Sequence, residues 1–143
     1  MAGGMGMADA FNAPGVAKPS GVFSNAAWQP PGRVLHIAGA VSQDADGRPV
    51  AAGDMAGQTR QVLENIRAVL AAAGGTLDDV ASVTVYVTDL KDLAAIQTVR
   101  REMLKPPYPA STLVKVAALA KPEYLIEISA VAVIPDSRAR RPA

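Results

Sequence analysis

Along the chain the hydrophobic positions change period several times, and each change marks an element. In 33-RVLHIAGAVS-42 the residues alternate and β-branched types recur, with 30-PPG-32 before them and the turn 44-DADG-47 after, which predicts a strand. The run 20-SGVFSNAAW-28 is its expected hairpin partner. From Asp54, the expected N-cap, the spacing shifts to three and four: Met55, Gln58, Thr59, Val62, Ile66, Val69 and Ala73 form one helical stripe that stops at Gly74-Gly75. A second strand pattern, 80-VASVTVYVT-88, leads into 89-DLKDLAAIQTVRREML-104. That segment reads as a helix capped by Thr88 or Asp89, with Leu93, Ile96, Val99 and Met103 inward. Prolines 106, 107 and 109 end it. Strands 111-STLVKVAAL-119 and 124-YLIEISAVAVI-134 close the order, which predicts an α+β fold: one sheet with two helices on one face.

Alternation also assigns faces. In the last strand Ile126, Ile128, Ala130, Ala132 and Ile134 share an apolar face, opposite Leu125, Glu127, Ser129, Val131 and Val133. Val83, Val85 and Val87 stand against Ser82, Thr84 and Tyr86; Thr112, Val114, Val116 and Ala118 stand against Ser111, Leu113, Lys115 and Ala117. Helices cover the apolar face. The mixed face, with Leu113, Leu125, Val131 and Val133, is too apolar to leave in water at about 25 cal/mol per Å². Another copy of the chain is expected to cover it and to place ligand clefts between subunits, with Glu127 on that face.

Composition narrows the chemistry. The 143 residues fit one domain, and 14 basic against 13 acidic side chains give a net charge of +1, too little to capture nucleic acid or a membrane electrostatically. Without cysteine there is no thiol nucleophile or thiolate metal site, and the one histidine, His36, leaves a Ser-His-Asp triad or a histidine-rich metal site unsupported. What remains is carboxylates, hydroxyls, backbone groups and water. No run reaches 18 apolar residues and the N-terminus lacks a secretory pattern, so a cytoplasmic protein is expected. Residues 1–18 read as a flexible segment, 19–135 as the domain and 136-DSRARRPA-143 as a mobile basic tail.

The segments 59-TRQVLENIRAVLAAAGGTLDDVASVTVYVTDLKDLAAI-96 and 109-PASTLVKVAALAKPEYLIEISAVAV-133 resemble the RidA family, also called YjgF or perchloric-acid-soluble proteins. The resemblance covers about 115 residues, from Gly21 to Val133. It implies a chorismate-mutase-like fold with a mixed sheet, assembled as a homotrimer with a cleft at each subunit interface. It also implies cofactor-free hydrolysis of enamines or imines to a carbonyl compound and ammonia. In the family an arginine after Pro-Ala clamps the substrate carboxylate and a glutamate on the last strand positions water. Here the glutamate is Glu127, but Ser111 stands at the arginine position. Phe23 replaces a tyrosine, Ala38 a serine and Gln97 an asparagine, while Gly39 is kept.

A bidentate guanidinium contact contributes roughly 1.5–3 kcal/mol, which one serine hydroxyl does not match. Lys115, roughly 13 Å along the strand, does not replace it. The resemblance therefore implies a cleft made by Glu127 as the catalytic group with Ser111, Phe23, Ala38, Gly39, Gln97 and Leu113 binding substrate, and poor turnover of small 2-imino acids. The alternative is a catalytically silent trimer that binds a small neutral metabolite. Glu127 could instead pair with Lys115 or with an arginine at the subunit interface, and Ser111 could satisfy local backbone. His36, Trp28 and Tyr124 are expected to pack rather than react. No cofactor or metal is expected, and nucleic acid is not an expected partner.

Overall fold

A computed structural model describes residues 9–143. Its strands are β1 (Asp9–Phe11), β2 (Ala26–Trp28), β3 (Arg33–Val41), β4 (Val80–Val87), β5 (Ala110–Lys115) and β6 (Ile126–Ile134). The helices are α1 (Met55–Ala72) and α2 (Leu93–Met103). β3, β6, β4 and β5 lie side by side in that order, antiparallel except for the parallel β4–β5 pair. Two helices pack against one face of this mixed sheet, the α+β arrangement that the periodicity predicts.

The local signals explain where α1 begins and ends. The Asp54 carboxylate accepts from Gly57 N at 3.0 Å, satisfying a first-turn donor. At the other end Gly74 adopts φ +88°, and the amides of Gly74 and Gly75 donate to the carbonyls of Ala71 and Leu70, a Schellman closure. Thr76 and Asp79 then form a reciprocal capping box around a single 3₁₀ turn that leads into β4. α2 starts at Leu93 rather than at 89, because Asp89 bonds Lys91 N and holds a turn there.

The core lies between sheet and helices. Ile37, Ala130 and Val83 form one layer, and Ile128, Val85 and Leu113 the next; Val62, Leu63, Ile66, Leu70, Ile96 and Val99 pack onto them. Gln58, fully buried, ties the segment before β6 to α1: its amide accepts from Leu125 N at 2.8 Å and donates to Glu123 O at 2.7 Å.

Three expectations are corrected. The run 20–28 does not form a hairpin with β3. Ala26–Trp28 pairs instead with Asp9–Phe11, within the segment expected to be flexible, and Phe11 stacks on the exposed Trp28 at 6.3 Å. Residues 1–8 of that segment lie outside the described residues. Second, β5 ends at Lys115, and its faces are reversed. Ser111, Leu113 and Lys115 register with Val83, Val85 and Val87, so they point to the helix side, while Thr112 and Val114 share the open face. An edge strand with apolar residues on both sides leaves its phase undetermined by alternation, and Val116 and Ala118, which fixed the expected phase, lie beyond the strand.

The third correction concerns the C-terminal tail, which is docked rather than free. Arg138 reaches the fully buried Asp79 with two hydrogen bonds, 2.9 and 3.1 Å, and donates to Gly74 O at 2.8 Å. Arg140 continues the contact through its backbone N to Ala73 O. Gly74 has no side chain where the Arg138 carbonyl lies against it, so the close approach requires glycine. The tail's arginines meet the carbonyls at the negative end of α1, the interaction that a composition reading alone does not contain.

Candidate functional site

The residues expected to form a ligand site fall into two groups at opposite edges of the sheet. The first sits where β3 and β6 meet. A bulge between Ile37 and Ala40 interrupts the ladder and leaves Ala38 and Gly39 exposed. The Glu127 carboxylate lies over Gly39, in space that any Cβ would fill. Beside them a groove of about 530 Å³ runs along the free edge of β3, lined by residues from His36 to Val41 and by Asn65, Ala68 and Val69 of α1. Asn65 donates to the carbonyls of Val41 and Gln43, at 3.0 Å each, and so fixes the groove wall to the helix.

Glu127 is half-buried on the open face, in register with Tyr86 and Val41. Lys115 points to the opposite face, so it does not pair with Glu127. Among the described residues Glu127 makes no ion pair. Its carboxylate is thus free to accept from a water or a ligand proton.

The second group sits at the β5 edge. The Gln97 amide of α2 accepts from Val22 N at 3.0 Å and holds the 21–24 segment. Ser24 anchors the same segment to the start of β5, donating from N to Pro109 O at 3.0 Å and from Oγ to Tyr108 O at 2.6 Å. Phe23, half-buried, lies between these ties, and Ser111 follows on β5. Leu113 packs against the core, which removes it from the face that carries Glu127.

One chain therefore does not bring Glu127 and Ser111 together. They are two strands and three register positions apart, roughly 10 Å across the sheet and roughly 10 Å along it at the usual spacings, and on opposite sides of the sheet. The open face is also more polar than expected: Leu113 and Leu125 pack toward the core, Val133 is buried, and Thr84, Thr112, Ser82 and Ser129 occupy its centre. Val34, Val114, Val131 and Tyr86 remain on it. His36 faces the same side, exposed, at the rim of a depression of about 190 Å³ with Ser82, Thr84 and Ser129, rather than packed as expected. Tyr124 does pack, with its hydroxyl 3.3 Å from Gln43 Oε1. Among the described residues no group of three or more His, Asp or Glu side chains is placed to hold a metal, and no helix is long and apolar enough to cross a membrane.

Sequence reasoning passed over one residue. Arg100, on the buried side of α2, is 2% exposed, and its Nη2 has no hydrogen-bond partner among the described residues. Burial lowers its pKa to about 10, so the guanidinium is still protonated at neutral pH. The signal was present: Arg100 follows Ile96 by four and Leu93 by seven, a charge inside an otherwise apolar stripe.

Comparison with known proteins agrees with this architecture. The family profile described as Endoribonuclease L-PSP matches residues 13–134. A RutC family protein of Pyrococcus horikoshii is 45% identical over 121 residues, covering 85% of this chain and 91% of its own. The crystal structure of YyfB, a Rid family protein of Yersinia pestis, superposes with a TM-score of 0.79 at 40% identity, covering 89% of this chain and 98% of that one. RidA of an Antarctic Psychrobacter gives 0.67 at 33% identity, covering 88% and 99%. Fold, family profile and relatives coincide over the same residues, and the chain belongs to the Endoribonuclease L-PSP family, which is the RidA/YjgF family that its sequence resembles.

Proposed function

We propose that the chain is a cofactor-independent enamine and imine deaminase of the cytoplasm, acting as a homotrimer. Each cleft joins the Glu127 edge of one copy to the Ser111 edge of the next. The observation that carries this reading is the Glu127 carboxylate, unpaired and laid over Gly39 beside an open groove. The separation of the two residue groups supports the intersubunit cleft, since only a second copy can face one edge with the other.

In the reaction, Glu127 accepts a proton from a water held beside the C=N carbon as the water oxygen forms a bond to that carbon. The resulting carbinolamine expels ammonia once its nitrogen has taken up a proton, and a C=O bond replaces the C–N bond. An enamine enters the same path after tautomerising to the imine. The net change adds one water and releases one ammonia, with no redox step. Gly39 leaves room for the carboxylate, and Gln97 fixes the segment that carries Phe23. Ser111 offers a single hydroxyl, so small 2-imino acids, which lack a bidentate clamp on β5, are turned over slowly.

The test is to supply freshly generated imines of graded size and to follow ammonia together with the carbonyl product. A rate above buffer that falls to the buffer rate in Glu127→Gln supports the reading. A rate equal to buffer in the unaltered protein, with saturable binding of a neutral carbonyl compound, replaces it with a binding role.

A further inference from the structure

We propose that the docked C-terminal tail and the start of β3 together form a binding site for a small phosphate monoester. The site is a cavity of about 170 Å³ at the end of β3 remote from Gly39, roughly 20 Å along the strand. Arg33, Arg140 and Arg141 line it, Leu35, Ile134 and Pro142 are among its apolar walls, and no acidic side chain takes part. The site needs neither Glu127 nor a second copy.

The arginines arrive from two directions. Alternation in β3 puts Arg33 on the helix side, in one row with Leu35 and the buried Ile37 and in register with Ile134. Arg33 thus ends an apolar row with a charge, and no ion pair among the described residues includes it, Arg140 or Arg141. The tail brings the other two. Arg138 N and Ala139 N both donate to Pro135 O, which closes a turn; Arg138 is tied to Asp79, and Arg140 N donates to Ala73 O at 3.0 Å. Arg140 also donates from Nη2 to Ala71 O at 3.0 Å, so its guanidinium is held against the end of α1. This bond, with that of Arg138 to Gly74 O, offsets the negative end of the helix, which would otherwise repel an anion. Among the described residues the side chains of Arg33 and Arg141 make no hydrogen bond, which leaves their N–H groups to a ligand. Arg140 and Arg141 lie beyond residues 13–134, the span that matches the family profile, so the site depends on this chain's own extension.

The chemistry of the lining selects the ligand. Guanidinium forks bind phosphate oxygens bidentately, and three of them around one cavity match a dianion better than a single carboxylate. The apolar walls suit an uncharged body joined to that phosphate. A long polyanion fits less well, because the cavity holds one small molecule and the whole chain carries a net charge of only +1.

The experiment measures binding of phenyl phosphate, inorganic phosphate and phenol by calorimetry at low salt. The proteins are the unaltered chain, Arg33→Gln, Arg141→Gln and, as a control for the general field, Arg48→Gln in the turn after β3. Melting curves should show all of them folded, since neither Arg33 nor Arg141 bonds to the protein through its side chain. The expected result is one phenyl phosphate per chain, bound more tightly than inorganic phosphate and far more tightly than phenol, with the affinity falling as sodium chloride is added. Arg33→Gln and Arg141→Gln should each lose about tenfold, the lower end for a charged hydrogen bond, and Arg48→Gln should lose nothing. No saturable binding of phenyl phosphate, phenol bound as tightly, an unchanged affinity in Arg33→Gln, or an equal loss in Arg48→Gln overturns the proposal. A short single-stranded RNA that binds more tightly than phenyl phosphate and loses as much in Arg33→Gln overturns it in favour of a nucleic acid.

Discussion

Replacing Arg138 with alanine tests how the C-terminal tail stabilises the fold. Asp79 is fully buried, and its carboxylate is satisfied by Thr76 N at 2.8 Å and by the two Arg138 nitrogens at 3.1 and 2.9 Å. Arg138→Ala leaves only the Thr76 bond and a buried charge without its counter-ion. Breaking a buried pair from one side destabilises by about 3–5 kcal/mol. Because the Arg138 side chain is 38% exposed, water enters part of the vacated space, which favours the lower end, about 3 kcal/mol. For a chain of this size that corresponds to a fall in Tm of about 10 °C. The assay is thermal unfolding by circular dichroism of the unaltered protein, Arg138→Ala, Asp79→Asn and the double variant. The double variant should lose less than the sum of the singles, because the neutral amide no longer requires the cation. A Tm for Arg138→Ala within about 2 °C of the unaltered protein would refute the reasoning, since the pair would then contribute no more than a solvated one.

Arg100→Met should raise stability by up to about 3 kcal/mol, since burial lowers the folded pKa to about 10, well below that of the unfolded chain, and makes the protonated form unfavourable in the fold. The folded state releases this proton first, so the stability of the unaltered protein gains on that of Arg100→Met as pH rises through about 10 and above. Chemical denaturation of both proteins at pH 8 and pH 10.5 measures the gap, which should narrow at the higher value. Gly39→Val places a side chain where the Glu127 carboxylate lies; imine hydrolysis should drop at least tenfold with little change in Tm, the exposed bulge accommodating the backbone. Gln58→Leu strands Leu125 N and Glu123 O and should cost about 2–4 kcal/mol, read from denaturant midpoints. Light scattering should give three times the 14.7 kDa chain mass.

The helix signals were legible because they are local. Asp54 as N-cap, Gly74-Gly75 as stop and the stripe from Met55 to Ile66 each encode their structure within a few residues. β4 and β6 were legible too, since central strands with one face buried show clean alternation. β5 was not, because an edge strand with Leu113 on one side and Val114 on the other satisfies either phase. The β1–β2 pairing was hidden for a different reason: three-residue strands are too short to carry a period, and proximity along the chain favoured β3 as the partner for 20–28. The docking of Arg138 on Asp79 spans 59 positions and leaves no periodic trace. Within the candidate site, Glu127 and Gly39 could be named from the family's motifs, and the structure brings them together. Their separation from Ser111 required the strand order, and Arg100 required burial to distinguish it from a surface arginine.

The division of the site between copies is tested most directly by mixing subunits. Glu127→Gln impairs one half-site and Gln97→Leu the other, and each variant alone should be inactive on imines. When the two are dissociated together and reassembled, a head-to-tail ring joins the intact Glu127 edge of one variant to the intact β5 edge of the other in about one cleft in four. Imine hydrolysis should then recover to about a quarter of the unaltered rate. Mixed rings that form, by mass, and still hydrolyse no faster than either variant alone would contradict a cleft shared between copies.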